Sequence, residues 1–376
     1  MSLYAVDKEV SYCYSDGLKK LKPQDLSNTV WAMAVYGLKH EDFLIVAAQQ
    51  FVERLKCCLR GKRDSTTQFK GQEVANLVWG FATLNCSCPG MMTDIAPYVV
   101  DMCKDDQGQL TVASIARVLK RQEMANIAWA CAVFGDYPPD LVKVLYKGIV
   151  GVGENPDPNY LCNVYGDEVI QGGAVMSIIY LQIARNLEEG TFACGLRLPP
   201  TFPSGWEMED SKSSLGDNEF ELRLSTSKIQ RDVSDAFSRI GFPHVDEYVI
   251  SMETLSQEYG IQVASLPKEI LSFDIANVDS KIGIEVDGPA HFLSLLDRET
   301  GSSSPGSGPR VVNDKIEFMF GWSGDGQEVN GATALKLRLM EGLGWRVINI
   351  PFWEWHSLNA NPALEEQYCR NVLAEL

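Results

Sequence analysis

Three segments in the first half of the chain align with one another without a gap, and they constrain the fold more than any other feature. They cover residues 24–37, 72–85 and 122–135, and each reads Gln, acid, aliphatic, small, Asn, any residue, aliphatic, Trp, small. Trp31, Trp79 and Trp129 are therefore separated by 48 and 50 residues. A repeat period near 50 residues predicts stacked supersecondary units.

Each aligned segment has the apolar spacing of a helix that is covered on two sides. In the second copy one stripe contains Val74, Leu77, Val78 and Phe81, and a second stripe beside it contains Ala75, Trp79 and Ala82. Such a helix is typical of a solenoid of helical hairpins. We expect this solenoid over residues 1–195, with second helices at 42–56, 91–104 and 139–149, a weaker fourth unit at 169–186, and a start inside a longer array.

The residues that recur in every repeat have two interpretations, as structural residues or as ligand contacts. We favour the structural interpretation for Asn28, Asn76 and Asn126 and for the three tryptophans. Residues that are identical in each repeat usually hold neighbouring repeats together, whereas ligand selectivity is expected at positions that vary.

The formal net charge of −17 is unevenly distributed. Residues 1–160 contain 17 Lys and Arg against 18 Asp and Glu, whereas residues 161–376 contain 16 against 32. A polyanion could therefore be bound by the first half, where 60–63 and 120–121 are basic.

No apolar run reaches the roughly 18 residues of a membrane span, so we expect no membrane partner. The N-terminus contains acidic residues at positions where a secretory or organellar leader peptide would be basic. The ten cysteines form no CxxC pair, which favours free buried thiols in a reducing compartment.

The second half has the pattern of a small α/β domain. Residues 196–225 have linker composition. The pattern then predicts a helix at 227–240, strands at 245–250, 270–276 and 282–287, a helix at 332–341 and a strand at 346–350, within a domain at 226–376. A Gly- and Ser-rich insertion occupies about 296–331.

Acidic residues are concentrated on two of these strands. Alternation places Glu285 and Asp287 on one strand face, and Asp274 joins them if the paired strand shares that face. Three converging carboxylates would share protons or bind Mg²⁺ or Mn²⁺. His291 follows a turn at 288–289 and is a candidate general acid or base. The alternative is a solvated outer face with a simple turn.

The second half resembles the RAP domain. The resemblance rests on 284–292 (IEVDGPAHF), 335–339 (LKLRL), 344–350 (GWRVINI) and 353–355 (WEW). RAP domains occur at the C-terminus of organellar RNA-binding proteins, including the Fas-activated serine/threonine kinase-like family. The repeats resemble the octotricopeptide or heptatricopeptide arrays that precede such domains. The resemblance implies a location in a mitochondrion or chloroplast.

The RAP domain is similar in turn to the PD-(D/E)xK nucleases, notably the very-short-patch repair endonucleases. That similarity implies a nuclease-like fold in which Asp274 and Glu285 are metal ligands. The lysine of the motif would fall at Asp287, and Lys336 on the later helix is the candidate substitute.

These features lead to three hypotheses of function. In the first, the solenoid holds single-stranded RNA and the RAP domain contacts or trims it, with other organellar RNA-processing proteins as possible partners. The expected RNA contacts are Lys336, Arg338, Trp353 and Trp355, with Phe320 and Trp322 as further aromatic candidates. The second hypothesis is an active Mg²⁺-dependent endoribonuclease that uses Asp274, Glu285, Asp287, His291 and Lys336. The third is an armadillo-like scaffold for protein interactions, for which the overall acidity is natural.

Overall fold

The architecture is given by a computed structural model of the chain. It describes residues 17–62, 64, 67–86, 88–150, 172–189, 217–250, 254–255, 257, 271–295, 309–312, 315–318 and 328–376. Most of the predicted linker, the Gly- and Ser-rich stretch 301–308, and Phe320 and Trp322 lie outside these ranges.

The three repeat motifs form helices, as the sequence predicts. They are α1 (Pro23–Val35), α3 (Gly71–Thr83) and α6 (Arg121–Phe134). Each is followed by a further helix: α2 (Glu41–Leu59), α4 (Met91–Cys103) and α7 (Pro139–Val150), with a short α5 (Val112–Ala116) before α6. The acid of each motif accepts the backbone N–H of the lysine before the helix, at 3.2 Å for Asp25, 2.8 Å for Glu73 and 2.9 Å for Glu123. The recurring acid is therefore a helix cap.

The helices pack in two layers. Helices α1, α3 and α6 lie side by side, and α8 (Gly172–Glu189), in the predicted fourth unit, packs on α6. We call these four helices the first layer. Helices α2, α4 and α7 form the second layer. The apolar stripe of Val74, Leu77, Val78 and Phe81 is fully buried, as expected for a helix covered on both sides.

The C-terminal region is a four-stranded sheet with helices on both faces. Its elements are α9 (Asp217–Arg239), β2 (Val245–Val249), β3 (Ser272–Asn277), β4 (Ile282–Asp287), α10 (Gly331–Gly342), β9 (Arg346–Pro351), α11 (Phe352–Ser357) and α12 (Pro362–Ala374). The sheet order is β2-β3-β4-β9, with β4 and β9 parallel and the other pairs antiparallel. This order of helices and strands is the predicted one. Helix α9 begins at Asp217, inside the predicted linker 196–225, and the domain boundaries stay a prediction.

Within the described residues, four short strands lie between β4 and α10 in the chain. They are β5 (Phe292–Leu295), β6 (Pro309–Val312), β7 (Lys315–Phe318) and β8 (Glu328–Val329). Strand β5 pairs with β8 and also, in parallel, with β1 (Leu38–Lys39), which directly follows α1. The two halves of the chain therefore share a small sheet.

Apolar side chains from α9, α11 and α12 cover one face of the large sheet, against Ile275, Ile284 and Val286. Helix α10 covers the other face and joins its core to that of the helical layers. The predicted acidic residues belong to this second face.

Helix α10 lies across the C-terminal ends of the first-layer helices. Gly331 packs so closely on the carbonyl oxygen of Ala82, in α3, that a methyl group there would overlap it. Arg338 donates hydrogen bonds to the carbonyl oxygens of Ala132 and Val133 at the end of α6, and to Glu188 of α8 at 2.8 Å. The C-terminal region therefore contacts α3, α6 and α8 through α10 and the first repeat through β1, and we call this contact the junction.

No helix within the described ranges is long and apolar enough to cross a membrane. The seven cysteines identified there are free thiols, and six of them are buried, as the sequence predicts.

Candidate functional site

The three acidic residues of the sheet lie on neighbouring strands. Ile275 pairs with Ile284, and Asp274 and Glu285 are the next residues of the two strands toward the same end of the pair. The Asp274 carboxylate accepts the backbone N–H of Val286 at 2.7 Å. Glu285 and Asp287, two residues apart on β4, share the face that α10 covers. We call Asp274, Glu285 and Asp287 the acid cluster.

Glu285 is the most perturbed acid of the cluster. The residue is 4% exposed, and its Oε2 lies 2.6 Å from Nζ of Lys336 on α10. Burial raises its pKa to about 8, and the Lys336 ammonium opposes that rise only in part. Its Oε1 is buried and has no hydrogen-bond partner within the described ranges. A carboxyl that titrates near neutrality is suited to carry a proton in catalysis.

Burial also raises the pKa of Asp274, and the hydrogen bond from the Val286 N–H and the charge of Lys336 oppose the rise. The charges of Asp274 and Asp287 both raise the pKa of Glu285. The three carboxyl groups are thus close enough to influence one another, as expected from the sequence.

Asp287 has a different environment. One of its oxygens lies 3.1 Å from Nδ1 of His291, and the other accepts a hydrogen bond from the Asn349 amide at 2.6 Å. Thr333 of α10 also contacts His291 Nδ1, at 3.1 Å. Asp287 therefore orients His291, whose side chain is 37% exposed.

The donor set limits how a metal could bind. Among the described residues no group of three or more His, Cys, Asp and Glu side chains is placed to hold a metal ion. Both Asp287 oxygens are directed at His291 and Asn349, so the geometry does not favour the expected three-carboxylate site. Asp274 and the unpartnered Oε1 of Glu285 fit a two-carboxylate site, which Mg²⁺ accepts because it keeps several waters.

The RNA contacts expected in the C-terminal region are mostly engaged elsewhere. Trp355 is 5% exposed in the core, and Arg338 belongs to the junction. Both are therefore engaged within the protein, and their roles in RNA binding stay predictions. Lys336 pairs with Glu285. Trp353 is half-buried against Phe292, with ring centroids 4.4 Å apart, and its role in RNA binding stays a prediction.

A row of polar and aromatic side chains follows the surface of the first layer. In each motif the Gln, Asn and Trp are spaced i, i+4 and i+7, which places them on one helix face. We call this surface the amide–aromatic face. It consists of Gln24, Asn28, Trp31, Gln72, Asn76, Trp79, Gln122, Asn126 and Trp129.

The burial of this face bears on the interpretation that its residues hold the repeats together. All three glutamines and Asn28 are exposed, and Asn76 and Asn126 are half-buried. Trp31 is 45% exposed. Only the half-buried Trp79 and Trp129 contact each other, with ring centroids 6.5 Å apart. Asn28 and Trp31 are thus more exposed than their counterparts in the other two motifs, and the structural interpretation for these two residues stays a prediction.

Two further elements of this surface were not predicted, although the sequence carries a signal for each. An exposed lysine (Lys22, Lys70 or Lys120) stands two residues before each motif glutamine. In the fourth unit, Tyr180 stands 51 residues after Trp129 and is half-buried like Trp79 and Trp129. Aligning the residues that flank the motif would have found the lysines, and extending the repeat period would have found Tyr180.

Comparisons with known proteins agree with the resemblance. Residues 284–368 match the sequence model described as RAP domain. A protein of Oryza sativa subsp. japonica described as "RAP domain-containing protein, chloroplastic" is 22% identical over 326 residues, which are 81% of this chain. The chain spans about two-fifths of that relative, since the match covers 41% of its length.

Proposed function

We propose that this chain, which carries a RAP domain at residues 284–368, binds single-stranded RNA along the amide–aromatic face of a helical-repeat solenoid. The observation that carries the proposal is the recurrence of Gln, Asn and Trp at the same three positions of each motif, on a face where they are exposed or half-buried. A polymer with a repeating unit makes the same contact at each step, so its binding surface is expected to repeat in the same way.

The chemistry of the face suits exposed bases. Amide side chains donate and accept hydrogen bonds as base edges do. Aromatic rings stack on bases of any sequence, worth about 1–3 kcal/mol per base. Single-stranded RNA presents both features, whereas a duplex hides them in its stack. We therefore favour single strands over duplex as the ligand.

The test measures binding of fluorescently labelled RNA of mixed sequence by anisotropy. We expect the single strand to bind more tightly than the matching duplex, with an affinity that falls steeply with salt because phosphate contacts release counterions. Absence of binding at low salt would contradict the proposal and favour the protein-interaction scaffold.

A second function, a metal-dependent endoribonuclease, is favoured by one observation. Asp274, Glu285 and Lys336 come together from β3, β4 and α10, with a 2.6 Å contact between Glu285 and Lys336. Two acids and a lysine are the groups expected from the resemblance to PD-(D/E)xK nucleases. Asp274 and Glu285 are the residues that would hold Mg²⁺, which would supply charge stabilisation at the phosphate when bound. Asp287 and His291 form a separate pair beside them.

The nuclease is tested by incubating end-labelled single-stranded RNA with the protein and Mg²⁺. If the site is catalytic, Asp274→Asn, Glu285→Gln and Lys336→Met each reduce cleavage strongly, while Asn371→Ala on the exposed surface of α12 does not. Cleavage that survives all three substitutions would exclude the site, and absence of cleavage by the wild type under these conditions would leave the domain a binding module.

We further propose an organellar location, on the description of the rice relative as chloroplastic. Imaging a full-length fluorescent fusion together with organelle markers tests this proposal. A diffuse signal outside organelles would contradict it.

A further inference from the structure

A cleft of about 900 Å³ opens between the second and third repeats. It lies at the N-terminal ends of α3 and α6, whereas the junction lies at their C-terminal ends. Gln72, the first residue of the amide–aromatic face in the second repeat, is part of its wall. The cleft is therefore continuous with that face. Ligand pockets commonly measure about 300–1,000 Å³, a range that includes a nucleotide site.

Three cations surround the cleft. Lys70, Arg117 and Lys120 all line it and all are exposed. Asp101 and Glu123 are the two acids of the lining, and the Glu123 carboxylate accepts the backbone N–H of Lys120 at 2.9 Å. The cleft thus has an excess of positive charge in a chain whose net charge is −17.

Of the two basic segments noted in the sequence, the segment 120–121 contributes Lys120 to the cleft lining. The segment 60–63 contributes no lining residue, although Leu59, which precedes it, lines the cleft. Arg121 is 5% exposed and is not part of the cleft surface. Arg117, which the sequence did not single out, takes its place.

The walls of the cleft are held in position before any ligand arrives. The Tyr98 hydroxyl donates to the carbonyl oxygen of Phe69 at 2.7 Å and accepts the backbone N–H of Phe69 at 2.9 Å. On the other side, Gly71 packs directly against the backbone of Val118. These contacts fix the segments that carry Lys70 and Arg117. A pre-formed site loses less entropy on binding.

We propose that this cleft binds one nucleotide segment of the RNA, with phosphates against Lys70, Arg117 and Lys120 and a base against the apolar wall of Leu59 and Met102. The inference rests on the proposed function, because the same strand continues along the amide–aromatic face. The cleft supplies the charge that the amides and rings of that face lack. It is the phosphate-binding end of the RNA path.

The test compares two triple variants of the full chain by RNA anisotropy across a salt series. The first is Lys70→Ala, Arg117→Ala, Lys120→Ala. The control is Lys143→Ala, Lys228→Ala, Arg370→Ala, which removes the same charge from exposed positions away from the cleft. For single strands each phosphate contact contributes about 0.7 to the slope of log K against log salt, so we expect the cleft variant to lose roughly 2 from that slope.

The control is expected to keep the wild-type slope. Equal slopes for the two variants would contradict phosphate binding in the cleft but not the proposed binding of RNA by the chain. Failure of the wild type to bind RNA would overturn the proposed function and the cleft together. Circular dichroism and the charge-preserving variant Lys70→Arg, Arg117→Lys, Lys120→Arg, which is expected to bind as the wild type does, separate lost contacts from lost folding.

A free nucleotide has the same phosphate chemistry as RNA, so a second arm titrates a nucleoside monophosphate by calorimetry. We expect no saturable binding at concentrations that saturate RNA, because one phosphate makes few of the contacts. Tight monophosphate binding that the cleft variant abolishes, with an unchanged RNA slope, would overturn the assignment to RNA.

Discussion

The two edges of the first helical layer carry different kinds of residues. At the C-terminal edge each of the three repeats makes a different kind of contact with the RAP domain. In the first repeat, β1 pairs with β5. In the second, Gly331 packs against the carbonyl oxygen of Ala82. In the third, Arg338 donates a hydrogen bond to the carbonyl oxygen of Val133 at the end of α6. At the N-terminal edge and on the adjoining face the three motif repeats present the same Lys, Gln, Asn and Trp.

The difference indicates what each surface binds. A folded domain has no translational repeat, so the helices that contact it carry different residues. An extended polymer repeats along its length, and helices that contact it in the same way carry the same residues. In the proposed function, the surface with recurring residues binds RNA, whereas the buried edge with differing residues serves intramolecular docking.

The largest effect is expected in the buried C-terminal region, where a change of pH should change the free energy of unfolding. The folded-state pKa of Glu285 is raised from 4.5 to about 8, so the folded state holds its proton longer than the unfolded state does. The free energy of unfolding should therefore fall as pH rises through this window, by up to about 1.4 kcal/mol per pH unit. Urea unfolding at several pH values measures the slope. Glu285→Gln should flatten it, and an unchanged slope would contradict the assignment.

The next effect tests whether the junction holds the two regions together. Gly331→Ala places a methyl group against the Ala82 carbonyl oxygen, and we expect a loss of about 3 kcal/mol of stability, the upper end for overpacking. Gly17→Ala is the matched control, since nothing lies within 4 Å of its added methyl group. Thermal unfolding of both variants measures the difference. Equal melting temperatures would mean that the junction is loose.

On the exposed side, Trp31→Ala removes a ring that is 45% exposed. If the ring stacks on a base, RNA affinity should fall by about 1–3 kcal/mol, with little change in stability. Tyr36→Ala, at the end of the same helix and 62% exposed, is the control and should bind as the wild type does. Equal losses in the two variants would remove the distinction between recurring and non-recurring aromatic residues.

The smallest effect is expected from a single amide. Asn76→Ala should weaken RNA binding by about 0.5–1.5 kcal/mol, the usual contribution of one hydrogen bond. Asn371→Ala, on the exposed surface of α12, should have no effect. Anisotropy measures both, and an Asn76 variant that binds as the wild type does would exclude this amide from base recognition.

Much of the fold was predictable because local patterns determine it. The repeat period and the apolar stripes predicted the first-layer helices, and strand alternation predicted β3 and β4 and the shared face of Asp274 and Glu285. The contact between Lys336 and Glu285 was anticipated only through the resemblance to nucleases. The use of Arg338 at the junction was not predictable, because it depends on docking between segments more than 200 residues apart, as in its bond to Val133.

The exposure of the recurring residues could not be derived from the motif alone. An apolar helix covered on two faces still has one narrow open face, and the sequence does not indicate which recurring residues occupy it. The i, i+4, i+7 spacing of Gln, Asn and Trp groups them on one side, but the packing of the neighbouring helices decides that this side is open.

The central claim, that RNA lies along the first layer, is tested most directly by ultraviolet crosslinking of bound single-stranded RNA followed by mass spectrometry of the crosslinked peptides. The account predicts crosslinks in peptides that contain Trp31, Trp79 and Trp129, and in the cleft peptide with Lys120. Crosslinks confined to the second-layer helices α2, α4 and α7, or to the RAP domain alone, would contradict it.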